Sequence, residues 1–145
     1  MKIKTNIWLT YCTNALIILW GYTSLWKLAE FDKFKHELYL QFSNREFSEI
    51  FVYLLPAVEL FLVVLLLIEA TKKIGLVFSV ALLTIFTIYI VLILSHFFRS
   101  TPCICGGVLE LLGWKSHFFF NLFFLSLNII AIKILNKTRK EVTGA

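Results

Sequence analysis

Apolar residues run through the chain in four long stretches, near residues 7–29, 50–69, 74–98 and 116–135, each broken only by isolated polar positions. About 20 apolar residues at 1.5 Å each cross a ~30 Å hydrocarbon core, so each stretch predicts a membrane-spanning segment. Lipid offers no partner to exposed backbone N–H and C=O groups, and runs this continuous satisfy them as helices. The pattern therefore predicts an all-α fold, a four-helix transmembrane bundle. The stretches use most of the chain, which predicts one membrane domain over residues 1–145.

The segment from 30 to 49 has a different rhythm. Phe31, Phe34, Leu38 and Phe42 recur at helical spacing, while Asp32, Lys33, His36 and Glu37 fall largely elsewhere on the wheel. A short amphipathic helix in the outer interface is expected there, with Trp26 and Tyr39 at headgroup depth. The link from Ala70 to Ile74 is so short that the second and third spans must be antiparallel neighbours. Pro102 moves Thr101 out of helical conformation and should end the third span nearby. Gly106 and Gly107 permit a tight return, and Ser116 is the expected N-cap of the fourth span.

Composition agrees: 59% of the 145 residues are hydrophobic and mean hydropathy is +0.84, which excludes a soluble domain. The net charge of +5 raises the question of nucleic acid, and the placement of the charges answers it. Lys2, Lys4, Lys72, Lys73, Lys133, Lys137, Arg139 and Lys140 all fall on one side of a four-span arrangement, whereas the opposite loops mix signs. Short loops rich in Lys and Arg stay cytoplasmic. Both termini are thus expected to be cytoplasmic, with the 99–115 loop on the opposite, extracytoplasmic side. The first apolar run is too long for a signal-peptide core and is expected to be retained.

Chemistry concentrates in that loop. Cys103 and Cys105 stand one residue apart in Thr101–Gly107, facing an oxidising compartment where disulfides persist. A bridge between them closes a very small, strained ring, a poor staple and a labile disulfide. A structural bridge and a metal site completed by His96, His117 or His36 are the competing readings. Zinc usually takes four ligands, so no metal is expected. Arg99 and Lys115 favour thiolate and Glu110 opposes it. Cys12 lies too far away, within the first span, and reads as a small buried side chain.

Polar residues inside the spans are the other candidates. His117, Asn121 and Asn128 share one helix face. His117, level with the cysteine loop, is placed to act as a base, and Asn128 reads as an interhelical tie. Glu59 falls near the bilayer centre, where ionisable groups are costly and mark functional sites. Asn14, Thr84 or Asn128 are its expected partners, either as a tie or as part of a proton relay. Pro56, one turn earlier, is expected to free a carbonyl. Lys27 is expected to snorkel to the headgroups, although an inward pairing with Glu30 or the thiol loop is also open.

Several of these residues together resemble the MauE/DoxX group of small four-helix membrane proteins. The resemblance is carried by Gly21-Tyr22 through Ser24, Leu25 and Lys27 to Phe34, and by Pro56-Ala57-Val58-Glu59. It continues with Pro102-Cys103-Ile104-Cys105-Gly106-Gly107 and with Trp114 and His117 through Asn121, covering nearly the whole length. It implies a redox-associated inner-membrane protein that forms or handles disulfides in a periplasmic partner. Carried over, the thiols are Cys103 and Cys105, with Glu59, His117 and Asn121 as matched polar positions. The site expected from all this is Cys103, Cys105 and His117 for the chemistry. Glu59, Asn121 and Trp114 are the candidates for holding a cofactor, of which a quinone is one option that no sequence feature requires. Expected partners are the lipid bilayer, a periplasmic thioredoxin-like or substrate protein, and a membrane complex. The alternative function is a non-catalytic membrane subunit or assembly factor docked through its aromatic faces. A third reading, a small transporter using Glu59, calls for discontinuous helices, of which Pro56 is the single hint.

Overall fold

A computed structural model describes residues 7–42, 44–95 and 113–144. These form five helices: α1 (Ile7–Ala29), α2 (Phe31–Gln41), α3 (Arg45–Leu67), α4 (Lys72–Leu94) and α5 (Gly113–Thr143). Among the described residues there is no strand. Cys103 and Cys105, together with His96, Arg99, Pro102, Gly106, Gly107 and Glu110, lie outside the described residues, as do Lys2 and Lys4.

Local chemistry moves the helix ends away from the ends of the apolar runs. Asn44 caps α3, its side-chain oxygen accepting from the Glu46 N–H at 3.1 Å. An acidic residue in the first turn also suits the helix dipole. This polar first turn starts α3 at Arg45, ahead of the apolar run at 50. At the other end, α4 is described to Leu94, and the expected end near 98 lies outside the described residues. The Ser95 N–H donates to the Val91 carbonyl at 2.9 Å and its hydroxyl to the Leu92 carbonyl at 2.8 Å. Helix α5 begins at Gly113, whose φ of +70° is a left-handed conformation that glycine adopts freely. Ser116 is therefore inside the helix and is not its N-cap, a correction to the sequence reading.

The amphipathic segment is indeed helical, and α2 packs its apolar face on protein. Phe34 and Leu38 are buried against Val52 of α3, with Phe31, Phe51, Leu55 and Tyr89 around them. Phe42 stacks on Phe51 at 5.8 Å. The link between α3 and α4 is tied by the Thr71 hydroxyl, which donates to the Leu65 carbonyl at 3.0 Å. Here Gly75 is required by closeness: a Cβ would sit 3.0 Å from Leu65 Cβ and 3.2 Å from its backbone carbon.

The main packing partners are α4 with α5 and α1 with α3. Leu16, Trp20, Leu62, Leu66, Leu76, Leu83 and Ala131 form the central core. What the bundle shows outside is more apolar than what it hides. Large side chains such as Ile18, Tyr53, Phe61, Phe78, Ile85 and Phe119 are exposed, while Lys27, Ser48, Glu59, Ser79, His117, Asn121 and Asn128 are buried. A surface of this kind suits lipid and not water. Among the described residues three helices, α3, α4 and α5, are long and apolar enough to cross a membrane. Helix α1 matches α3 and α4 in length at 23 residues, but Thr, Tyr, Trp, Asn and Ser positions dilute its hydropathy.

Candidate functional site

The centre of the site is a pair of charges. Lys27 Nζ donates to both carboxylate oxygens of Glu59, at 2.7 and 3.0 Å, and the two side chains are 2% and 0% exposed. This overturns two sequence expectations. Lys27 does not snorkel to the headgroups, and Glu59 does not lean on Asn14, Thr84 or Asn128. Asn14 is exposed, Thr84 bonds to its own helix at the Val80 carbonyl, and Asn128 is engaged elsewhere. The reason is directional. A helical side chain is tilted toward the helix N-terminus, so a lysine near the end of α1 reaches back along the helix, toward the middle of the bundle. Thr23, one turn before Lys27, lines the same cavity as Glu59. One turn is about 5.4 Å, which the lysine stem spans.

Two further contacts hold α1 to α3 here. The Ser24 hydroxyl donates to the Pro56 carbonyl at 3.1 Å. Gly21 faces Val63, where a Cβ would stand 4.0 Å from its methyl, in ordinary van der Waals contact. Gly21, Ser24 and Lys27 thus present to α3 the stripe of small and polar residues visible in the sequence, a familiar way for helices to approach closely in lipid. Phe34 of α2 covers the ammonium, its ring centre 5.8 Å from Nζ, a distance at which an aromatic face attracts a cation.

Helix α5 completes the group. His117, Phe120 and Asn121 line a cavity of about 20 Å³ together with Lys27 and Glu59, room for roughly one water molecule. His117 is buried, its ring edge-on to Phe120 at 6.4 Å. Asn121 donates to the Leu83 carbonyl at 3.0 Å and to the Thr87 hydroxyl at 2.8 Å. Of the residues singled out from the sequence, Glu59, His117 and Asn121 therefore meet around one cavity. Trp114 does not line it; it lies edge-on to Tyr89 at 6.5 Å.

A second polar network bears out Asn128 as an interhelical tie, with partners that were not foreseen. Trp20 donates its indole N–H to Ser79 Oγ at 2.8 Å. With its amide oriented so that both ends are satisfied, Asn128 accepts from Ser79 Oγ at 2.7 Å and donates to the Leu76 carbonyl at 3.2 Å. The serine thus links α1, α4 and α5. The signal available in the sequence was Trp20, on the same helix face as Ser24 and Lys27. Nothing along the chain pairs it with a serine 59 residues away. Cys12 is buried among Leu9 and Leu16 as a free thiol.

The arrangement can hold charge and move protons in a dry interior: a carboxylate, an ammonium and an imidazole around space for one water. The model of the family described as "Methylamine utilisation protein MauE" matches residues 5–134, most of the chain. The chain belongs to that family. No curated protein and no solved structure matches it. With three long apolar helices and this membership, it is a multi-pass membrane protein.

Proposed function

We propose that this MauE-family chain is a membrane thiol–disulfide redox protein that handles disulfides for an extracytoplasmic partner, with Cys103 and Cys105 as the exchanging pair. One cysteine thiolate attacks a partner disulfide to give a mixed disulfide, and the other cysteine displaces the partner's second thiolate. The partner disulfide is reduced to two thiols as the pair is oxidised to a disulfide. The reverse sequence oxidises the partner.

The observation that supports this reading most is the burial of His117 against the Lys27–Glu59 pair, four residues into the helix that follows the cysteine loop. Thiol exchange needs protons taken and returned close to the thiols, and an imidazole in contact with a buried ionic cavity is suited to that work. In this reading α1 is a fourth span. It faces outward with Ile7, Trp8, Ile18 and Leu25 and inward with Thr13, Ser24 and Lys27. The clustering of Lys and Arg puts both termini in the cytoplasm and the cysteine loop in the periplasm, and α2 lies at the outer interface.

The test is redox trapping in intact membranes: alkylation of Cys103 and Cys105 followed by mass shift, before and after reductant, with buried Cys12 as the reduced reference. A reductant-sensitive bridge, or a mixed disulfide trapped by a single-cysteine variant, is the expected result. A pair that stays wholly reduced, or wholly oxidised and inert, rejects the exchange chemistry. The chain is then a non-catalytic subunit that docks through exposed aromatics such as Phe119 and Phe123.

A further inference from the structure

One line of residues along α5 changes its chemistry halfway. Phe123, Ser126, Ile130, Lys133, Lys137 and Lys140 follow one another at spacings of three and four, and all are exposed. Such spacing keeps residues on one side of a helix. The buried residues of α5, from His117 to Leu135, occupy the opposite side. The stripe therefore faces away from the bundle, apolar in its first half and basic in its second.

The change falls where a membrane ends. Helix α5 has 31 residues, about 46 Å at 1.5 Å each, against a hydrocarbon core of ~30 Å. Its last buried residue is Leu135, so the turns that follow leave the bundle as bare helix. With Lys133 at the edge of the apolar half, Lys137 stands about 6 Å and Lys140 about 10 Å further along the axis. Headgroups occupy roughly 5–7 Å beyond the core, the depth of Lys133 and Lys137. In the other direction one leaflet of the core is about ten residues of helix thick, which from Lys133 ends at Phe123.

An open groove of about 680 Å³ borders Lys133, Asn136, Lys137, Lys140 and Glu141. Among the described residues the ion pairs are Lys27–Glu59 and Lys72–Glu69, so these three lysines have no carboxylate partner there. Glu141 lies at the far end, which leaves positive charge greatest between Lys133 and Lys137, next to the apolar half. A topology signal counts charges near a span and is indifferent to the face that bears them. A second copy of the chain in the same orientation would set lysine against lysine, which is costly. Helix partners in lipid favour small residues at the contact, whereas Phe123 and Ile130 are large.

We propose that this stripe binds an anionic phospholipid, its phosphate held between Lys133 and Lys137 and an acyl chain lying along Ile130 and Phe123. Lys140 stands in water and draws the lipid in, since charges act over about 10 Å at ordinary ionic strength. The assignment needs neither the cysteine chemistry nor a particular leaflet, so redox trapping of Cys103 and Cys105 leaves it untouched either way.

The test uses the full chain in phosphatidylcholine nanodiscs. A trace of phosphatidylglycerol carries a diazirine partway along one acyl chain, and its cross-links are mapped by mass spectrometry. Labelling is expected to saturate, to fall within 122–130, and to exceed that by the same probe with a choline head at least tenfold. Unlabelled phosphatidylglycerol should compete, and free glycerol phosphate at millimolar concentration should not. A lysine near an anionic surface is worth roughly fivefold in binding. Lys133→Gln/Lys137→Gln should therefore reduce the preference at least tenfold, and Lys140→Gln by less. Lys137→Thr/Thr138→Lys keeps the total charge, moves one lysine off the stripe, and should reduce it at least threefold. Lys73→Gln, exposed on α4, should leave it unchanged.

Equal labelling by the two probes, labelling away from α5, or competition by glycerol phosphate would each overturn the assignment. So would a preference that survives Lys133→Gln/Lys137→Gln, or one that Lys73→Gln reduces as much. Ready chain-to-chain cross-linking through Ser126→Cys would overturn it too, because a second copy would then cover the stripe.

Discussion

Two polar networks run through the same bundle and differ in kind. The seam joining α1, α4 and α5 is neutral: Trp20, Ser79 and Asn128 satisfy one another at 2.7–2.8 Å. The seam between α1 and α3 is ionic, Lys27 against Glu59, and both known cavities beside it touch Lys27. A neutral network needs no space around it and serves to fix helix register. A buried ion pair is a weak source of net stability, since desolvation offsets most of its attraction. Keeping one beside space for a water fits a working site better than a fastening.

That contrast can be broken most forcefully at the ion pair. Lys27→Met or Glu59→Gln alone leaves the other group buried without its partner, and either should cost roughly 3–5 kcal/mol of stability. The double variant should recover most of that loss. Reversible unfolding of the detergent-solubilised protein checks both, and a double variant as unstable as the singles would show that the pair is a fastening after all. A middle-sized effect is expected where α3 meets α4. Gly75→Val drives a side chain into Leu65 and should cost about 1–3 kcal/mol by overpacking, read in the same assay. The neutral seam should give least. Ser79→Ala or Asn128→Ala should each cost on the order of 0.6 kcal/mol and at most about 1.7, as interhelical hydrogen bonds do in membranes. A loss as large as that at Lys27 would erase the distinction drawn between the seams.

The long apolar runs were legible because length and hydropathy act locally, and three of the helices they predict meet the physical demands of a membrane span. Glu59, His117 and Asn121 stood out for the same reason: a polar group in an apolar run is visible without any partner. Partnership was not visible. Lys27 sits near the end of its helix, where position alone points to the headgroups, and only the backward tilt of helical side chains carries it inward to Glu59. The early start of α3 was hidden because the cap at Asn44 and the exposed polar side of its first turn interrupt the apolar pattern. Trp20 and Ser79 escaped notice since neither is unusual alone. The cysteine pair remains a reading of spacing and family, because Cys103 and Cys105 lie outside the described residues.

The Lys27–Glu59 pair also dictates an order of events during synthesis. Helix α1 is made before α3, so Lys27 precedes its counter-ion Glu59 by 32 residues. It is also the one of the four long helices described that falls short of a span on its own composition. By contrast, α3 and α4 follow each other across a four-residue link and can enter as a hairpin. Helix α1 is therefore made before the residue that secures it. Its charge is neutralised only when Glu59 arrives, and a chain interrupted before α3 leaves Lys27 without that counter-ion.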